Sequence, residues 1–279
     1  MSRPAPAGAF TDRTALLTGG GSGIGAALTR ALVTAGAHVV CADLDGGSAR
    51  AVAASVSGPG TARPLAMDVT DPAAVASAVE DLVGEHGRID LIFNNAGITF
   101  LGETQDLTLE QWNAIVDVNI RGVIHGVHAA YPRMIQQRSG HIVNTASMGG
   151  LMAAGLMTSY VTTKHAVVGL SLALRTEAAA YGVGVSVVCP AAVDTPILDK
   201  GEIGRFRGRD FYLEGQGVKR PVDPDRLAER ILAAVVADEA IVVEPAQARI
   251  AWRLGRLSPT FVNRMATRFI ARQRAGTAS

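Results

Sequence analysis

Acidic residues are missing from the whole end of this chain: residues 246–279 hold seven Arg and neither Asp nor Glu. Set against a net charge of +1, those arginines leave about −6 on residues 1–245. The chain is therefore not basic overall, and no nucleic-acid partner is expected. Cysteine is scarce too. Cys41 and Cys189 are the only two, each inside a short apolar run (38–42 and 185–189). That excludes a disulfide scaffold and predicts buried, inert thiols in a reducing compartment. No apolar run reaches the ~18 residues of a membrane span, and Asp238 and Glu239 interrupt the best candidate, 231–243. The first ten residues have a single Arg and no continuous apolar segment, so no secretory signal is expected. Internal repeats and low-complexity linkers are absent, and no metal site is expected. What is left is a cytoplasmic globular protein, with 48% hydrophobic residues to fill a core.

What is present is a rhythm. Short β-branched runs at 15–18, 38–42, 63–67, 91–94, 141–145, 185–189 and 240–243 alternate with Ala-rich helical stretches at 24–35, 72–85, 109–137 and 160–181. Strands separated by helices predict βαβ crossovers, hence an α/β fold with a Rossmann-type, doubly wound parallel sheet of about seven strands and helices on both faces. One unit over 1–279 is expected, with its core at about 11–245. Two segments break the rhythm. Residues 198–220 hold five Gly with Phe206, Phe211 and Tyr212 and no period, the composition of a lid or binding loop. In 246–279, Pro245 can start one helix and Ser258–Pro259 another. There Phe261, Met265 and Phe269, and likewise Val262, Ala266 and Ile270, recur every four residues beside Arg264, Arg268 and Arg272. Such a stripe must be covered by its own subunit, by a neighbouring subunit or by a membrane surface. The expectation adopted is a subunit contact.

The first strand runs into Thr18-Gly19-Gly20-Gly21-Ser22-Gly23-Ile24-Gly25, and a helix follows. Glycines allow a tight turn and close backbone approach, and the helix N-terminus offers free N–H groups to a pyrophosphate. Gly19, Ser22, Gly23, Ile24 and Gly25 are thus candidate dinucleotide contacts. Asp43 ends the second strand 18 residues after Gly25. A carboxylate there accepts hydrogen bonds from both ribose hydroxyls and repels a 2′-phosphate, which predicts NAD rather than NADP. Asp45 competes for that role, and either aspartate could instead cap a helix.

Tyr160 and Lys164 stand four residues apart in a chain with only four Tyr and three Lys, and Ser147 lies 13 residues before Tyr160. An exposed helix-face pair would explain the spacing, but neither Ser147 nor the glycine turn. Oxidising an alcohol moves a hydride from carbon to nicotinamide while a base takes the hydroxyl proton. Tyr has an ordinary pKa of roughly 10, and a nearby Lys164 ammonium and an oxidised nicotinamide would both favour the phenolate. Ser147 can hold the substrate oxygen.

Over about residues 11–243 the sequence resembles the short-chain dehydrogenase/reductase family, on Thr18-Gly19-x3-Gly23-x-Gly25, Asp68-Val69, Asn94-Asn95-Ala96-Gly97, Asn119, Ser147 and Tyr160-x3-Lys164. The resemblance implies Tyr160 as acid/base and Lys164 on the nicotinamide ribose. It also implies Asn119 holding a water in a proton relay, Asp68 and Val69 at the adenine, and Asn95, Ala96 and Gly97 along the cofactor. Pro190, Val193 and Thr195 fall at the nicotinamide carboxamide, and a homodimer or homotetramer is implied. By the residues alone, Asn119 is equally a helix-interior cap, Asp68 a turn residue and 94–97 a strand-ending turn. Ala191 stands where the family usually has Gly, and the tail beyond residue 245 is longer than usual. The function expected is NAD-dependent interconversion of a small secondary alcohol and a ketone. The alternatives are an NADP-dependent ketoreductase of acyl-carrier substrates and a non-catalytic redox sensor. Met148, Leu151, Met152, Leu156 and Met157 line an apolar pocket or belong to core or interface.

Overall fold

The structure is a computed structural model and describes residues 8–206, 208–216, 218 and 220–276. Strands β1 (Thr14–Thr18), β2 (His38–Asp43), β3 (Thr61–Ala66), β4 (Leu91–Asn94), β5 (Gly140–Thr145), β6 (Val183–Pro190) and β7 (Ile241–Glu244) form one sheet in the order β3-β2-β1-β4-β5-β6-β7. Every neighbouring pair is parallel. The helices are α1 (Gly23–Thr34), α2 (Gly46–Ser55), α3 (Pro72–His86), α4 (Leu109–Val116), α5 (Gly122–Gln137), α6 (Thr158–Ala178), α7 (Gly208–Gly215), α8 (Pro224–Val236), α9 (Ala246–Gly255) and α10 (Pro259–Gly276).

Successive strand side chains point to opposite faces, and here both faces are covered. Leu16, Ile92, Ile142 and Val185 pack beneath Val75, Val79 and Leu82 of α3 and Ala130 and Met134 of α5. Their neighbours Leu17, Phe93, Val143 and Val188 pack against Leu28 and Leu32 of α1 and Leu227 and Ile231 of α8. This two-sided burial is why the strands read as continuous apolar runs. Local signals start the helices: Asp71 accepts from the Ala73 and Ala74 N–H groups ahead of α3. Thr108 and Gln111 form a capping box on α4, and Asp223 with Pro224 opens α8.

The structure moves several of the expected boundaries and subdivides two of the expected segments. Strand β3 begins at Thr61 rather than 63 because pairing with β2, not apolar content, defines it; its side chains are mostly exposed, and Pro64 fits an edge strand. The expected helix 109–137 is divided by a π-helical turn, Asp117–Arg121. Helix α6 starts at Thr158, two residues early, and the 198–220 segment contains α7.

The strand order reverses direction between β1 and β4, so a crevice opens at the carboxyl ends of the central strands. The tail's apolar stripe also divides. Ile270 is buried and Phe269 partly so, whereas Phe261 and Met265 stay exposed beside Arg264, Arg268 and Arg272. Among the described residues no helix is long and apolar enough to cross a membrane.

Candidate active site

At the end of β1 the glycine turn bends into α1. Ser22 sits at the N-cap but makes no side-chain capping bond, so the first N–H groups of α1 are left for an anion. A Cβ on Gly25 would lie 1.9 Å from the Gly19 carbonyl oxygen, so only glycine lets helix and turn approach this closely. Gly19, Ser22, Gly23 and Ile24 line a cleft of about 570 Å³, and Gly25 lies outside its lining. Asp43 lines it too, and its carboxylate is already anchored: Oδ2 accepts from Gly21 N–H at 2.8 Å and Oδ1 from Asp45 N–H at 3.0 Å. Each carboxylate oxygen keeps a further acceptor direction. Asp45 caps α2 through Gly47 N–H (2.9 Å) and the Ser48 hydroxyl (2.6 Å). Asp45 lines the cleft as well, but its carboxylate is occupied in capping α2.

Asp68 and Val69 line the same cleft, and Asp68 Oδ1 also holds a turn by accepting from the N–H and hydroxyl of Thr70, both at 2.8 Å. Asn95, Ala96 and Gly97 line it as well, but the Asn95 amide ties strand ends together. It donates to the carbonyls of Thr18 (3.1 Å) and Gly19 (3.3 Å) and accepts from the Thr145 hydroxyl (3.2 Å). The Thr18 hydroxyl accepts from the N–H groups of Asn95 and Ala96 at 3.0 and 3.1 Å. Sequence reasoning gave Thr18 no role of its own; a hydroxyl at the last strand position before the glycine turn was the available signal. Across the cleft stand Pro190, Val193 and Thr195, and the Thr195 hydroxyl is buried with no partner among the described residues. A glycine cradle, an open helix N-terminus and an orphaned buried hydroxyl fit a dinucleotide.

Ser147 lies two residues beyond the end of β5, and Tyr160 and Lys164 lie one turn apart on α6; all three line this cleft. Lys164 is buried and donates from Nζ to the Thr145 carbonyl at 2.9 Å. Its Nζ lies 5.5 Å from the Tyr160 ring centre. Burial pushes the Tyr160 phenol up to about 12, with the Ser147 hydroxyl pulling the other way. Burial likewise pushes Lys164 down to about 8. The expected lowering of Tyr160 by Lys164 is not seen in the chain alone: desolvation dominates, only the Ser147 hydroxyl opposes it, and the ammonium is aimed at a carbonyl. Cys189, buried nearby, is raised to about 12 by desolvation and stays a thiol at neutral pH.

Asn119 is fully buried in the π turn and lies outside the cleft lining. Its Oδ1 accepts from Ile98 N–H (2.8 Å), and its Nδ2 donates to the Ile98 carbonyl (2.9 Å) and Thr163 Oγ1 (3.1 Å). The side chain therefore clamps the loop after β4 instead of capping its own helix.

The remaining wall is mainly apolar, formed by Met157, Val161, Ile197, Leu198 and Tyr212 with Lys200 and Gln216 among them, and the Tyr212 and Thr99 hydroxyls lie 3.0 Å apart. Of the apolar residues after Ser147, Met157 lines the cleft and Leu156 backs it, while Met148, Leu151 and Met152 pack in a separate core cluster with Trp252 of α9. Ala191 is buried in the lining at no backbone cost, since its φ is not positive, and its N–H is held by the Glu244 carbonyl at 2.8 Å. Among the described residues no group of His, Cys, Asp and Glu could hold a metal ion.

A glycine turn at the switch point and a Ser–Tyr–Lys group on one cleft define a dinucleotide-dependent oxidoreductase architecture. The chain belongs to the short chain dehydrogenase family, whose pattern matches residues 13–203, a family of oxidoreductases acting on hydroxyl and keto groups. The probable oxidoreductase EphD of Mycobacterium tuberculosis (strain ATCC 25618 / H37Rv) is 33% identical over 266 residues, 91% of this chain; the chain spans only 44% of that relative's length. The D-beta-hydroxybutyrate dehydrogenase of Rhizobium meliloti (strain 1021) is 34% identical over 243 residues, covering 82% of this chain and 93% of that one. Among solved structures, a short chain dehydrogenase/reductase from Burkholderia phymatum in complex with NAD superposes with a TM-score of 0.78. It is 28% identical and matches 90% of this chain and 95% of its own.

Proposed function

We propose that this chain interconverts a hydrophobic secondary alcohol and its ketone with NAD, using Tyr160 as acid/base. The observation that carries the reading is that Ser147, Tyr160 and Lys164 line the same cleft as the glycine turn and Asp43. Bound NAD would supply the hydride acceptor and, when oxidised, a positive charge near Tyr160. The alcohol loses a hydride from carbon and a proton from oxygen, and Tyr160 takes the proton. Ser147 holds the substrate oxygen and stabilises the charge that develops on it. Lys164, fixed by the Thr145 carbonyl, bonds the nicotinamide ribose, while Thr195 offers its unpaired hydroxyl to the carboxamide beside Pro190 and Val193. Gly19, Ser22, Gly23 and Ile24 receive the pyrophosphate, Asp43 the adenosine ribose, and Asp68 and Val69 the adenine.

With its phenol raised by burial, Tyr160 is a proton donor at neutral pH, suited to ketone reduction. Oxidation requires the phenolate, which the cofactor's charge favours. Asn119, with its side chain committed to Ile98 and Thr163, acts by shaping the loop around Gly97. In this reading residues 11–245 are the catalytic core, 198–220 the lid and 246–279 an appended tail. The test is a turnover screen of secondary alcohols, isopropanol to menthol, with NAD and with NADP in parallel. Reduction of NAD by the bulkier alcohols is expected. Turnover confined to NADP and acyl-carrier ketones would favour the ketoreductase reading, and cofactor binding without any turnover the sensor.

A further inference from the structure

The wall of the cleft opposite the glycine turn is built from, and backed by, three short pieces far apart in sequence. One is the segment around Leu156, a buried residue at φ +62°, a backbone conformation that disfavours a β-carbon; it leads into Met157, which lines the cleft. Another is α7, eight residues long, which contributes Tyr212. The third, 101–103, backs the wall without lining the cleft, tied by backbone bonds from Gly102 N–H to the Leu156 carbonyl and from Leu101 N–H to the Gly201 carbonyl, both 2.8 Å.

Helix α10 lies against all three. Ile270 packs over Gly155 so closely that a Cβ there would meet its Cγ1 at 2.7 Å. Phe269 packs on Phe211 of α7 with ring centres 5.4 Å apart, and it occupies the space a Cβ on Gly215 would need. Gln273 donates to Glu214 at 2.6 Å, and Arg274 makes a two-pronged pair with Glu103, both bonds 2.7 Å. The glycines at 155 and 215 thus leave room for the tail, and its last two turns join three wall segments that are distant in sequence.

We propose that α10 is an intramolecular strap that fixes the substrate wall, so that Phe269, Ile270 and Arg274 act as positioning residues setting which alcohols the cleft accepts. The selectivity half rests on the proposed dehydrogenase reading; the mechanical half does not. None of the three lines the cleft. They act through Met157 and Tyr212, which share one apolar cluster with Phe269 and Ile270. A bulky substrate presses on that wall and needs it ordered, whereas a small one does not reach it.

The test uses the full chain with Ile270→Ala, Arg274→Glu, Glu103→Arg and the charge-swapped Glu103→Arg/Arg274→Glu. Amide exchange, measured without substrate, should speed up in 154–157 and 208–215 in the single variants and return toward wild type in the swapped pair. KM for menthol should rise roughly two- to fivefold in Arg274→Glu, the scale of an exposed ion pair, and roughly tenfold in Ile270→Ala. KM for isopropanol and NAD affinity should hold. Unchanged exchange in both Ile270→Ala and Arg274→Glu overturns the strap. Faster exchange with an unchanged menthol-to-isopropanol ratio overturns its role in selectivity. A wild type that binds no NAD and oxidises neither alcohol counts against the dehydrogenase reading instead, and the exchange result still decides the strap.

Discussion

Asp43 does two jobs with one carboxylate: it pins the Gly21 N–H and it faces the cleft where an adenosine ribose would lie. A carboxylate about 4 Å from a phosphate charge costs on the order of 1–4 kcal/mol, depending on exposure, which corresponds to roughly tens- to hundreds-fold preference for NAD. Asp43→Ser should shrink that ratio, chiefly by weakening NAD, since the turn loses an anchor along with the ribose contact. Titration of both cofactors measures it, and a wild type that favours NADP at low concentration would refute the assignment. At this scale the sequence was legible where rare side chains meet: Tyr160 and Lys164 stand out because Tyr and Lys are few, and they line one cleft with Ser147. It was illegible where the work is done by common residues in a particular place. Thr18, Thr99 and Thr145 look like any threonines until the strand ends bring a hydroxyl or a carbonyl to Asn95, Tyr212 and Lys164.

Strands β5 and β6 are joined off the ladder by His141, whose Nε2 lies 2.8 Å from Ser186 Oγ, while the Ser186 hydroxyl donates to the Glu239 carbonyl at 2.6 Å. Burial lowers His141 from 6.5 to about 4; Asp238 opposes that shift and Arg175 adds to it. Between these values the unfolded chain holds a proton that the folded chain does not. Stability therefore climbs with pH across that window and is lost as pH falls from 6.5 toward 4. His141→Gln should flatten this part of a denaturation-midpoint profile, and an unaltered slope would show that His141 does not set it. Element type was readable from periodicity because both sheet faces are buried. One strand start and one turn escaped it for opposite reasons. Strand β3, expected at 63–67, lies at an edge with mostly exposed side chains, so only its pairing with β2 marks its start at Thr61. The turn Asp117–Arg121 keeps helical periodicity on both sides, so no apolar pattern announces the local change that buries Asn119.

Across the whole molecule, segments far apart in sequence meet at one cleft: the glycine turn near residue 20, the Ser147–Lys164 segment, and α7 backed by α10. The crevice follows from the strand order; the alternation of strands and helices implied a doubly wound parallel sheet but not that order. The tail did not follow, because a stripe recurring every four residues says that a helix has an apolar face and not what covers it. Phe269 and Ile270 turn toward the apolar cluster of Leu156, Met157, Phe211 and Tyr212 while Phe261 and Met265 remain exposed. The central claim, however, concerns the phenol of Tyr160. The most direct test is single-turnover formation of NADH from a secondary alcohol by Tyr160→Phe beside wild type, with NAD binding measured on both. The account predicts turnover nearly abolished, by at least the ~10²–10⁴-fold typical of acid–base assistance, with NAD affinity within a few fold. A Tyr160→Phe protein that keeps most of its rate would contradict it.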